Sequence, residues 1–201
     1  MHRWVYAIDA SIKLFIRDIN SFRLLIINAA IPITILTTYE LLMNILNTYV
    51  DSLTTTVAPY SKSIINNAVY FINSITYLVV AALVIIFFVT SAFMVNGIVR
   101  NLRDDFRAMI SIFRSGVGVI MHIALIMLLI SLYSFTLGIS ISAALVLVLM
   151  KILTTLGIIP ITNYGVDITG VLPVMLPLAC VICVTYIIEG IIWVRRYAYL
   201  P

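Results

Sequence analysis

The chain has 201 residues, of which 63% are apolar and 10% charged, with a formal net charge of +4 and a mean hydropathy of +1.18. Such values exclude a water-soluble globular domain. The surplus of Lys and Arg is then a membrane-topology signal, and no nucleic-acid partner is expected.

Residues 1–23, "MHRWVYAIDASIKLFIRDINSFR", carry charges throughout and lack the uninterrupted apolar run of a signal peptide. Trp4, Ile8, Ile12, Phe15, Ile19 and Phe22 recur at helical spacing, while Arg3, Asp9, Lys13, Arg17 and Asp18 fall mostly elsewhere on the wheel. That pattern predicts an amphipathic helix lying on the cytoplasmic leaflet, or one packed on a partner protein. A first span follows at 24–46, with Pro32 expected to kink it and Glu40 near its outer end. The outer segment 47–73 is only 27 residues long. The helix of the second span, 74–99, is expected to begin near Ser61–Ile65 and to stand above the membrane. A charged island at 100–115 leads to the third span, 117–142. The fourth is 171–193, its start shaped by Pro173 and Pro177. The expected fold class is thus an all-α integral membrane protein of four transmembrane helices, forming one domain over 1–201.

Orientation follows from the positive-inside rule. Arg3, Lys13, Arg17, Arg23, Arg100, Arg103, Arg107, Arg114, Arg195 and Arg196 fall on one side, and only Lys62 and Lys151 on the other. Both termini are therefore expected in the cytoplasm, in a multi-pass protein of the plasma membrane. One alternative is open. Residues 116–159 form an apolar run of 44, longer than one crossing requires. Either a turn near "GISIS" makes a fifth span, or the third helix bends near Gly138 and its continuation lies at the outer interface or covers its neighbours. The four-span form is preferred.

The sequence is poor in chemistry. It has no Gly-rich phosphate loop, no H-E-x-x-H, no Ser/His/Asp set and no carboxylate cluster, so no catalytic site, cofactor or metal is expected. Cys180 and Cys183 have no ligand partners at zinc spacing and are expected to be small buried hydrophobes. Within the spans, His122 and Glu189 fall at similar depth and are candidates for an intramembrane polar pair. Alternatively Glu189 snorkels toward Arg195 or Arg196. Ser134, Gly138 and Ser142 form a small-residue stripe for close helix packing, within one chain or across a dimer.

The island "RNLRDDFRAMISIFRSG" is a short amphipathic helix by its pattern. Leu102, Phe106, Met109 and Phe113 repeat at spacings of four, three and four, with Arg103, Asp104, Arg107 and Arg114 off that stripe. It either floats on the lipid or inserts into a groove of a cytoplasmic partner.

The order of these parts resembles the MacB/FtsX-like family of ABC transporter permeases. "RDDFRAMISIF" looks like that family's coupling segment, with Asp105, Phe106, Met109 and Ile112 at the matching places. "WVRRYAYLP" resembles its closing pattern, "KLFIRDINSFRLLI" its basic approach to the first span, and "LTTLGIIPI" the link before its fourth. The chain departs from the family at Phe113, where glycine is usual, at Ile110, often basic, and above all in lacking the extracytoplasmic domain. No substrate class is therefore implied. What the resemblance does imply is a permease subunit that forms homo- or heterodimers. Leu102, Asp105, Phe106, Met109, Ile112 and Phe113 would dock a separate ATP-binding cassette subunit. A non-transporting scaffold of a secretion, pilus or envelope complex is the alternative. A secondary carrier ranks third, for want of buried charges and an inverted repeat.

Overall fold

In the computed structural model the chain is all-α, and residues 2–54, 59–105, 107–108, 116–156 and 169–198 are described. The helices are α1 (His2–Arg17), α2 (Ile19–Thr54), α3 (Pro59–Asn101), α4 (Gly116–Thr155) and α5 (Leu172–Ala198). All but α1 contain windows long and apolar enough to cross a membrane: Ile19–Thr48, Tyr70–Asn101, Val117–Thr155 and Leu172–Arg196. The protein is a multi-pass membrane protein.

Three of these helices are longer than a crossing needs. With 36, 43 and 40 residues, α2, α3 and α4 run about 54–65 Å at 1.5 Å per residue, against about 30 Å of hydrocarbon. The end of α2 after Thr48 and the start of α3 before Tyr70 lie beyond the apolar windows, so this helical pair projects on one side. α3 begins at Pro59, just upstream of the expected Ser61–Ile65. The Tyr39 hydroxyl, which donates to Asn73 Oδ1, joins the two helices.

Neither Gly138 nor Pro32 interrupts its helix. α4 is one continuous helix through Gly138, with no turn there to start a fifth span. One glycine costs a helix only about 1 kcal/mol relative to alanine, and tertiary packing outweighs that. Val146 and Met150 beyond it are buried among Leu36 and Leu41 of α2 and Val171 and Met175 near the start of α5, so the continuation covers its neighbours, the second of its two expected placements. α2 likewise continues as helix through Pro32. The real break comes earlier, at Asp18. Its N–H closes α1 on the Leu14 carbonyl at 2.9 Å, and its own carbonyl accepts from Ser21 N–H at 2.8 Å to open α2.

The most extensive interface is α2 on α4, and small residues explain it. A Cβ on Gly138 would lie 2.7 Å from Ile33 Cγ2 and 3.2 Å from the Ala30 carbonyl oxygen, so only glycine permits this approach. α2 and α5 also touch, and α3 and α4 pack on both of them without meeting each other among the described residues. The bundle is therefore a four-helix ring with α2–α5 across its diagonal. The larger core, around Leu25, Val95, Ile126, Ile130 and Tyr186, fills the end nearer α1. α3 is the least enclosed span, 17% of its apolar window being buried against 44% for α2 and α4.

Candidate functional site

α1 has three faces rather than the expected two. Ser11 and Leu14 are buried against the bundle, and Phe15 half-buried. Ile8, Ile12 and Ile16 are exposed, and Asp9, Lys13 and Arg17 occupy the next sector, with Lys13 Nζ 2.7 Å from Asp9 Oδ2. At 100° per residue these sets succeed one another around the wheel. A helix at a membrane surface beside a bundle needs those faces: protein, lipid and water. Phe22, expected on the same stripe, belongs instead to the buried core in α2.

α1 packs chiefly on α4. There Ser11 Oγ and His122 Nδ1 are hydrogen-bonded at 2.6 Å, both residues fully buried. The expected pair of His122 with Glu189 does not form: no ion pair joins them among the described residues. Glu189 turns to α3 instead and accepts from Ser91 Oγ at 2.8 Å. Nor does it snorkel toward Arg195 or Arg196. The cause is angular: on α5, Glu189 points at α3 while Gly190 faces α4, where its added Cβ would meet Ile123 Cγ2 at 2.9 Å.

Glu189 belongs to a larger polar cluster across three spans. Thr90 Oγ1 donates to Asn28 Oδ1 at 2.8 Å, and the Tyr186 hydroxyl to the Leu25 carbonyl at 2.8 Å. Among the described residues Glu189 Oε2 and Asn28 Nδ2 are buried without a hydrogen-bond partner. By residue count Asn28, Ser91 and Glu189 all lie about 14–15 Å from the helix ends on the α1 side. Buried polar groups in lipid are costly and usually find partners, so two open valences mark this cluster as able to receive a water or a polar ligand atom.

At the end of the bundle, Arg17 Nη2 donates to Asp18 Oδ2 at 2.8 Å and to Asp105 Oδ2 at 3.0 Å. The hydrogen bond and charge of Asp18 raise its pKa above the usual arginine value, with Asp105 adding to them. This fork ties α1, the α1–α2 elbow and the segment after α3 together. That segment is helical at 103–105 and 107–108.

Of the expected docking residues, Leu102 is turned inward and joins the core with Leu14 and Val99. An apolar residue at the mouth of a bundle is held there by its own protein's core before any partner arrives. Asp105 engages Arg17. Phe106, Met109, Ile112 and Phe113 lie outside the described residues. In the small-residue stripe, Ser134 is buried and donates to the Ile130 carbonyl at 2.7 Å. Ser142 Oγ lies 2.9 Å from the Thr34 carbonyl and 2.6 Å from Thr38 Oγ1, so the stripe faces α2 of the same chain. Cys180 is exposed and Cys183 half-buried, correcting the expected burial of both; a thiol is apolar enough for a lipid-facing position. Among the described residues no three His, Cys, Asp or Glu gather as a metal site.

Sequence reasoning missed Ser11, Asn28, Thr90, Ser91 and Tyr186. The signal was available for Asn28 and Tyr186, polar groups within apolar runs. Nothing in a single sequence distinguishes Ser11 from a solvated serine. Compared with protein-family models, curated proteins and solved structures, the chain matches none of them.

Proposed function

We propose that this chain is the membrane subunit of an ABC transporter of the mechanotransmission type, driven by a separate ATP-binding subunit. It would work as a homo- or heterodimer in the plasma membrane, with both termini in the cytoplasm. One observation carries this reading: the segment after α3 is rooted in the core by Leu102 and clipped to α1 by Asp105. Motion imposed there would pass to α1 through Arg17 and on to α4 through the Ser11–His122 contact. α2 and α3, which overrun the bilayer, would deliver it on the far side. ATP hydrolysis belongs to the partner.

The test is loss of docking. Phe106→Ala with Phe113→Ala should leave the protein inserted but abolish co-purification with its ATPase, whereas Asp104→Asn should do far less. Apolar anchors of this kind typically cost about 2 kcal/mol or more when truncated. Unchanged co-purification would pass the lead to the scaffold reading, which the broad exposed face of α3 favours. Labelling of a cysteine at position 196 from outside, in a background without Cys180 and Cys183, would refute the orientation.

A further inference from the structure

The outer side of the α2–α4 interface carries a groove that the permease reading does not use. Two adjoining clefts of about 360 and 280 Å³ share Ile27 and Leu137 and so run into one another. One wall is the ridge Arg23, Ile27, Ile31 and Ile35 of α2, the other Tyr133, Leu137 and Ile141 of α4. Both ridges advance by four residues, so a straight channel lies between them. From Arg23 to Ile35 it runs about 18 Å, close to the about 15 Å of hydrocarbon in a single leaflet.

The groove is chemically graded. At the α1 end its mouth holds the Arg23 guanidinium, the Asn20 amide and Tyr133. Beyond Ile27 the walls are aliphatic, with Thr34 the sole polar side chain. Among the described residues Arg23 makes no ion pair, unlike Arg17, whose charge is met by two carboxylates. Tyr133 is held at the mouth by Phe15 of α1, their ring centroids 6.4 Å apart. A cation and an aromatic at one end of an apolar channel about one leaflet long match one class of molecule.

We propose that this groove binds an anionic glycerophospholipid, its phosphate at Arg23 and one acyl chain lying between Ile27, Ile31 and Leu137. The lipid would belong to the leaflet on which α1 lies, because the mouth opens at the α1–α2 elbow beside Ile19 and Asn20.

Native mass spectrometry of the purified full chain tests this, with phosphatidylglycerol and phosphatidylcholine of identical acyl chains as probes. The wild type should retain phosphatidylglycerol with roughly fivefold preference, as a single cation near an anionic headgroup provides. Arg23→Gln should reduce that preference to nearly one while still retaining lipid. Ile31→Trp, at an exposed position where the larger ring fills the channel without entering the core, should lose both lipids while keeping the wild-type melting temperature. Equal retention of both lipids by the wild type would mean annular lipid only and would overturn the site. So would a preference that survives Arg23→Gln, or a lipid-free dimer in which a second copy fills the groove.

Discussion

Ser11 Oγ and His122 Nδ1 meet at 2.6 Å in the interior, across 111 residues of sequence. A serine in the middle of a surface helix thereby fixes that helix on the third span. Through this contact α1 is a structural part of the bundle as well as a membrane-surface element.

Ser11→Ala should loosen α1. The His122 nitrogen would lose the hydroxyl opposite it in a dry setting, where an unmet polar group costs about 1–3 kcal/mol. Amide exchange over residues 8–17 should accelerate while α2 to α5 remain protected. Unchanged exchange would show that Leu14 and Phe15 alone hold the helix.

The link from Arg17 to Asp105 is electrostatic and exposed, so salt should weaken it. Arg17→Glu should widen the distance between spin labels at positions 13 and 104, and adding Asp105→Arg should restore it. The Arg17 pKa is raised by Asp18 and Asp105. Its contribution is therefore complete below the unfolded arginine value and is lost only as pH rises through the higher folded one. Label distances should stay flat from neutral to mildly alkaline pH. A change there would point to another group.

Glycine positions make a paired test. Gly138→Ala places a methyl 2.7 Å from Ile33 Cγ2 and 3.2 Å from backbone oxygen, and overpacking of this kind costs about 1–3 kcal/mol. The same change at Gly97 meets nothing within 4 Å and should be neutral or stabilising, since alanine favours helix. Thermal unfolding in detergent distinguishes the two, and equal melting temperatures would refute the tight α2–α4 contact.

Ser91→Ala should destabilise the bundle by about 1–3 kcal/mol, because the Glu189 carboxyl would then lack the Ser91 hydroxyl. In a Glu189→Leu background the same change should cost much less, as the carboxyl that needed it is gone. Additive losses in the two backgrounds would show that the 2.8 Å contact contributes nothing.

Much of this fold was legible before any coordinates. The spans, the short outer segment and the island all follow from where apolar runs stop, since lipid tolerates few charges. Gly138 and Ser142 were legible as packing residues by size alone. The pairing of His122 with Glu189 was not: depth along a helix can be counted, but which neighbour a side chain faces depends on rotation about the axis. The same rotation turned Leu102 from the expected docking stripe into the core.

By itself, the sequence determined that this chain crosses a membrane by helices, because a backbone in hydrocarbon must satisfy its own hydrogen bonds. It also determined where the charged breaks fall. Only the tertiary structure decided that α4 packs on α2 and α5 beyond Gly138, that α1 presents three faces, and that Asn28, Ser91 and Glu189 share one polar cluster. Those outcomes depend on which helix stands beside which. In lipid that choice is made by close packing and a few hydrogen bonds between surfaces of nearly equal hydrophobicity, and a hydropathy pattern does not encode it.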